Sequence, residues 1–169
     1  SMWTVFEMEQ IEHVVTGSQG FIGRRLTKMM MERGKDYESI SYDCGMGGVL
    51  DYGRMLKLFK DKKFVIHLGA ISGSKFFDDL RVATRTNCEG TANVLEAARK
   101  NDVETVVFAS TSSCYAFTPT PHKETNAPNP VNAYVATKLY GEYLMKLFHD
   151  LYGIKTIILR FGSVYGVGE

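Results

Sequence analysis

The chain alternates short apolar, β-branched runs with longer stretches of helical periodicity. The runs are IEHVVT (11–16), YESISY (37–42), KFVIHL (63–68), TVVFAS (105–110) and TIILRF (156–161), and each reads as a strand. Near-continuous apolar strands with room for a crossover helix between them are what a parallel sheet covered on both faces requires. The predicted class is α/β. Residues 132–151 carry Tyr140, Tyr143, Leu144, Leu147, Phe148 and Leu151 at i, i+3, i+4, i+7, i+8 and i+11, which predicts a helix packing that stripe on the sheet. At about 100° per residue, Tyr134 and Lys138 fall well off the centre of the stripe, so packing does not claim them. The proline-rich TPTPHKETNAPNPVN (118–132) reads as a loop that forms a lid or a pocket rim.

Between the first strand and the first helix stands HVVTGSQGFIGRRL, with Gly17, Gly20 and Gly23. Glycines there permit a tight turn, let a pyrophosphate approach backbone N–H groups, and let the helix N-terminus face the anion. The GxxGxxG spacing alone also fits a plain strand-to-helix turn. Its place at the first strand, with Asp43 at the end of the second, points to a dinucleotide site in a Rossmann-like, doubly wound sheet. A carboxylate at Asp43 suits ribose hydroxyls and repels a 2′-phosphate, so NAD is favoured over NADP. Arg24 and Arg25 keep NADP open, and Asp43 is also readable as a solvated turn residue before Gly45.

Composition narrows the partners. Lys+Arg 20 against Asp+Glu 19 gives a formal charge of +1, and no basic stripe follows a nucleic-acid backbone, so nucleic acid is not an expected partner. Cys44, Cys88 and Cys114 lack the paired spacing of metal sites or disulfide frameworks. A reducing cytoplasmic setting is expected, with no metal. No apolar run reaches the roughly 18 residues of a membrane span. Ser1 before Met2 reads as the remnant of a cleaved tag, residues 1–10 as an N-terminal extension, and 11–169 as one nucleotide-binding domain.

YVATKLYGE places Tyr134 four residues before Lys138, one helical turn apart on one face, where an ammonium can stabilise a tyrosinate. A phenol tuned in that way can take a proton from a sugar hydroxyl and return it. With 9 tyrosines in the chain a chance match is unsurprising, so context must carry the motif. ASTSSCYA puts Thr111, Ser112 and Ser113 at the carboxyl end of the fourth strand, where ligands bind in open α/β sheets. HLGAIS puts the small residues Gly69 and Ala70 at the end of the third, where a flat cofactor can lie against backbone or where tight packing needs them.

Taken together, TGSQGFIG, VIHLGA, NCEGTANVLEAA, FASTSSCYA, YVATKLYGE and LRFGSVYG resemble the motifs of the extended short-chain dehydrogenase/reductase family, specifically its nucleotide-sugar epimerases and dehydratases. The resemblance runs from Ile11 to Gly166. It implies Tyr134 as acid/base, Lys138 on the nicotinamide ribose, and Thr111 on the reacting hydroxyl. It further implies cofactor contacts from Gly17, Gln19, Gly20, Phe21, Ile22 and Gly23, from Asp43 and Val49, and from Leu68, Gly69, Ala70 and Asn87. Ser72, Ser112, Ser113 and Ser163 would meet the substrate. The implied reaction passes a hydride between a sugar carbon and the nicotinamide, giving a transient keto sugar that is reduced from its other face.

Three departures refine this. Dehydratases of the family carry an Asp–Glu pair after the catalytic threonine, where this chain has Ser112 and Ser113, so epimerase is favoured over dehydratase or reductase. Gly48 stands where an adenine-binding aspartate is expected, leaving adenine to the backbone at Val49. Family members also extend well beyond the VYG motif to supply a substrate domain. A truncated piece of a longer enzyme is expected, with a natural short form or a non-catalytic dinucleotide-binding module as alternatives. Homodimers form in the family through long helices, and the 132–151 helix is a candidate for that role.

Overall fold

All five predicted strands form. The structure, a computed structural model, describes residues 11–40 and 48–168. Asp43, the end of the second predicted strand and the 1–10 extension therefore lie outside the described residues. The strands are β1 (His13–Thr16), β2 (Tyr37–Ile40), β3 (Phe64–His67), β4 (Thr105–Thr111) and β5 (Lys155–Phe161), all parallel in one sheet of order β2-β1-β3-β4-β5.

Among the described residues five α-helices connect them: α1 (Phe21–Glu32), α2 (Tyr52–Leu58), α3 (Lys75–Asp78), α4 (Leu80–Lys100) and α5 (Ala133–Tyr152). Three of their starts are set by short polar side chains that accept otherwise orphaned N–H groups: Asp51 from Arg54, Asp79 from Arg81 and Val82, Asn132 from Val135. Helix α5 stops at Gly153, whose φ of +74° is cheap only for glycine.

From β1 the chain first steps outward to β2 and then crosses to β3 on the other side of β1. Right-handed crossovers therefore put α1 on one face and α2, α4 and α5 on the other. The main core fills the second space, with Val14, Val65, Val106 and Phe108 of the sheet meeting Met55, Leu95 and Met145. The α1 face is covered unevenly. Phe64, Ile66 and Val107 are half-buried there, and Ile157 and Leu159 on the edge strand β5 are exposed, so the expectation of full cover on both faces holds only around β1.

The predicted packing stripe of α5 is wrong by most of a face. Tyr140, Tyr143 and Leu151 are exposed, Leu144 and Leu147 are half-buried, and of that set only Phe148 is buried. The sheet-facing positions are Val135, Lys138, Gly141, Glu142, Met145 and Phe148. Gly141 lets the helix settle on the Phe108 ring, since a Cβ there would stand 2.4 Å from Phe108 Cζ. Two buried ions and a glycine made the true face look polar. Among the described residues no helix is long and apolar enough to cross a membrane.

Candidate cofactor and active site

The reversal of strand order between β1 and β3 opens a crevice at their carboxyl ends, the place where open α/β sheets bind ligands. The cavity there measures about 560 Å³. Of the residues expected to bind, Gly17, Gly20, Val49, Leu68, Gly69, Ala70 and Ser72 line it, joined by Lys75, Asp78 and Thr86.

Its floor is a close approach of two strand ends. Gly17 has φ of +71°, and a Cβ on it would lie 2.7 Å from Gly69 N. A Cβ on Gly23 would lie 2.1 Å from Gly17 O, so α1 can start against the turn only because residue 23 is glycine. Gly20 caps α1 without a side chain, and the first turn holds no acidic residue. The helix therefore presents its positive end uncompensated. Gly90 does the same service for Val49, whose methyl would be 2.3 Å from an added Cβ.

The remaining glycine-loop residues stand outside the lining: Gln19 is exposed, Phe21 and Ile22 are half-buried, Gly23 is buried. The Arg25 guanidinium sits 4.5 Å over the Phe21 ring and donates to Val167 O, while Arg24 donates to Gly168 O. Both arginines are thus engaged by residues 167–168. Asn87 stands behind the crevice lining, bonded to the protein. Its side-chain oxygen accepts from Ile71 N–H (2.8 Å), and its amide nitrogen donates to Ile71 O (3.0 Å) and Thr137 Oγ1 (3.1 Å). It braces the crevice wall from behind. Thr86, which sequence reasoning missed, is buried in that wall with a hydroxyl that has no hydrogen-bond partner among the described residues, as a group reserved for a ligand would be.

Tyr134 is half-buried, its ring edge-on to the fully buried Phe76 at 5.7 Å. Phe76 belongs to α3, whose Lys75 and Asp78 face the crevice, so one short helix touches both places. Lys138 is buried, donates to Ala109 O at 2.9 Å, and lies 5.9 Å from the Tyr134 ring centroid. Burial lowers its pKa to about 8. Burial also pushes the Tyr134 phenol above its ordinary value, the opposite direction to the lowering expected of Lys138. The ammonium is directed at a carbonyl at the end of β4, and desolvation governs the phenol.

Thr111 ends β4, buried, its Oγ1 accepting from Ser113 N at 3.2 Å. Ser112 is half-buried and Ser113 exposed in the 3-10 turn that follows, and Ser163 is exposed just past β5. All four lie at the carboxyl edge of the sheet, but none lines the crevice. A second cleft of about 530 Å³ opens beside β5, rimmed by His122, Lys123 and Glu124 of the proline-rich loop. At its base Glu142 takes a two-pronged pair from Arg160 (2.9 and 2.7 Å) and a bond from Ser110, while Arg160 donates to Tyr115 Oη at 2.6 Å. Glu142 was visible in the sequence only as a motif letter.

Residues 13–169 match the model of the NAD dependent epimerase/dehydratase family. The chain belongs to that family. A UDP-glucuronate 4-epimerase of Thermodesulfobacterium geofontis is 31% identical, over 91% of this chain and 56% of its own. Among solved structures, the UDP-glucose 4-epimerase of Thermus thermophilus in complex with NAD superposes with a TM-score of 0.82 at 28% identity, over 91% of this chain and 56% of that one. A UDP-N-acetylglucosamine 4-epimerase from Methanobrevibacter ruminantium gives a TM-score of 0.81 at 25% identity, over 94% and 57%. The chain spans little more than half the length of these members of the epimerase/dehydratase family.

Proposed function

We propose that the chain is the cofactor-binding half of an NAD-dependent nucleotide-sugar epimerase, acting on a UDP-sugar through a transient keto sugar. The observation that carries this reading is α3, which presents Lys75 and Asp78 to the glycine-floored crevice and Phe76 to the Tyr134 ring. Cofactor crevice and phenol are parts of one site.

The residues fit a dinucleotide. Gly17 and Gly20 leave backbone room, the α1 N-terminus supplies uncompensated N–H groups with Gln19, Phe21, Ile22 and Gly23 shaping the turn, and Thr86 offers a free hydroxyl. Asp43 takes the ribose, Val49 the adenine, and Leu68, Gly69 and Ala70 the flat face. When bound, NAD supplies the hydride acceptor and donor. Tyr134 moves the proton of the sugar hydroxyl, Lys138 holds the neighbouring ribose and the β4 end, and Thr111 orients the reacting oxygen. Ser72, Ser112, Ser113 and Ser163 contact the sugar nucleotide. The exposed apolar face of α5, with Tyr143 at 66% and Leu151 at 61% exposure, fits pairing with a second copy. Cys88 and Cys114 are free, as suits a reducing cytoplasm.

Calorimetric titration of this chain with NAD and NADP tests the cofactor assignment. Saturable NAD binding with weaker NADP binding is expected; no NAD binding at millimolar concentration overturns it. UDP-sugars given to a full-length protein, with product configuration read by NMR, test the reaction.

A further inference from the structure

Behind the crevice runs a file of buried polar side chains: Thr16, His67, Thr91, Asn87 and Thr137, each at most 5% exposed. Their donors can be assigned without ambiguity from the acceptors at the ends. Thr91 Oγ1 lies 2.6 Å from Asn87 O, a carbonyl that can only accept, so the threonine proton points there. Thr91 must then accept from His67 Nε2–H at 3.0 Å. A neutral imidazole with its proton on Nε2 leaves Nδ1 as an acceptor, so Thr16 donates to Nδ1 at 2.7 Å. The free lone pair of Thr16 takes Gly69 N–H at 3.0 Å. From Asn87 the side-chain amide donates to Thr137 Oγ1 at 3.1 Å, and Thr137 donates to Tyr134 O at 2.7 Å.

The bonds run the same way in two segments that meet at residue 87: one from Gly69 N–H to the Asn87 backbone carbonyl, the other from the Asn87 side-chain amide to Tyr134 O, joined by the covalent frame of Asn87. The file begins at Gly69, the residue whose close approach to Gly17 forms the crevice floor, and ends on the backbone of Tyr134. Reversing one bond would strand a buried donor or acceptor, and hydrogen bonds in series polarise one another. Each hydroxyl in the file holds both a donor and an acceptor role.

The structure assigns this file a positioning role: His67, with Thr16, Thr91, Asn87 and Thr137, forms a directed hydrogen-bond spine that couples the glycine floor of the crevice to the turn carrying Tyr134. The spine is a property of the unliganded chain and rests on the cofactor reading only for what the crevice holds. None of its members touches the reacting atoms.

The test uses ¹⁵N-labelled chain. Thr16→Val, nearly isosteric but without a hydroxyl, is expected to shift the Tyr134 and Thr137 amide signals, and Thr137→Val to shift the Gly69 amide and the His67 ring nitrogens. Thr16→Ser and Thr137→Ser keep the hydroxyl and should leave the far end unmoved. Shifts confined to the immediate neighbours of each substitution overturn the spine, as does an Nδ1–H tautomer at His67. If Thr16→Val does not fold, Thr91→Val cuts the file at its middle and is read in the same way. With NAD, the Thr16→Val and Thr137→Val effects on Kd should depart from multiplicative by at least about threefold; a simple product shows the spine not to couple the two places. Failure of the unaltered chain to bind NAD removes the cofactor reading, and the amide shifts then decide the spine alone.

Discussion

Acid should unfold this protein through His67. The imidazole is fully buried between Thr16 and Thr91, and burial, with the Lys138 ammonium adding to it, pushes its pKa from 6.5 down to about 3. The unfolded chain binds the proton near 6.5 and the folded chain only near 3, so between those values the unfolded state holds more protons and stability falls as the pH falls. Linkage with these two values gives a loss of about 2 kcal/mol on going from pH 8 to pH 5, approaching about 3 at pH 4. Against a total stability of roughly 5–15 kcal/mol that is a large fraction. The bonding explains why no easy escape exists. A protonated ring donates from both nitrogens, so Thr16 would face Nδ1–H and Gly69 N–H at once and lose the acceptor for its own proton. Urea denaturation at pH 7.5, 6 and 5 measures the slope, and His67→Asn serves as the control. That variant keeps an acceptor for Thr16, should be weaker at pH 7.5, and should show little further loss down to pH 5. A parent chain equally stable at pH 7.5 and 5, or a control with the same slope, refutes the reasoning.

Other expectations follow from individual contacts. Gly141→Ala drives a Cβ to 2.4 Å from Phe108 Cζ, and overpacking of roughly 1–3 kcal/mol should outweigh the gain of up to about 1 kcal/mol in helix propensity, visible as a lower Tm. Glu142→Ala removes the partner of Arg160 at the base of the second cleft and should cost roughly 3 kcal/mol in chemical denaturation, most of it recovered when Arg160 is also replaced by methionine. In a full-length enzyme Tyr134→Phe should reduce turnover at least about 100-fold while calorimetry finds NAD affinity little changed. Asp43→Ala should weaken NAD more than NADP, and equal weakening would take Asp43 away from the ribose.

The parts legible in sequence are those in which one residue type has one use. Near-continuous apolar runs gave all five strands, because a strand buried in a parallel sheet tolerates little else. Gly17, Gly20 and Gly23 marked the turn because a side chain at residue 17 or 23 collides with backbone. Helix α5 was legible as a helix but not in its orientation. Its buried side holds Lys138, Gly141 and Glu142, residues that hydropathy assigns to solvent, and only the partners Ala109 O and Arg160 explain their place. Thr16, Thr91 and Thr137 were illegible for a related reason. A threonine on a helix or at a strand end carries no periodic signal, and its value lies in a partner 24 to 51 residues away.

The same physics that hid those residues sets the resting state of Tyr134 and Lys138, the pair proposed for proton transfer. Burial raises the Tyr134 phenol and lowers the Lys138 ammonium, so it drives both toward their neutral forms. A neutral phenol beside a lysine held on Ala109 O is a proton donor without a ready base. Deprotonating the phenol requires a positive potential at the crevice, and the sources among the described residues include the Lys138 ammonium, the α1 N-terminus and Lys75 in the crevice wall. The glycine floor and the phenol are placed by different elements, α1 and α5, and α3 and the buried file ending on Tyr134 O are two links between them. On the proposed assignment, proton transfer by Tyr134 would therefore depend on the polar interior that positions it as well as on the two side chains of the motif.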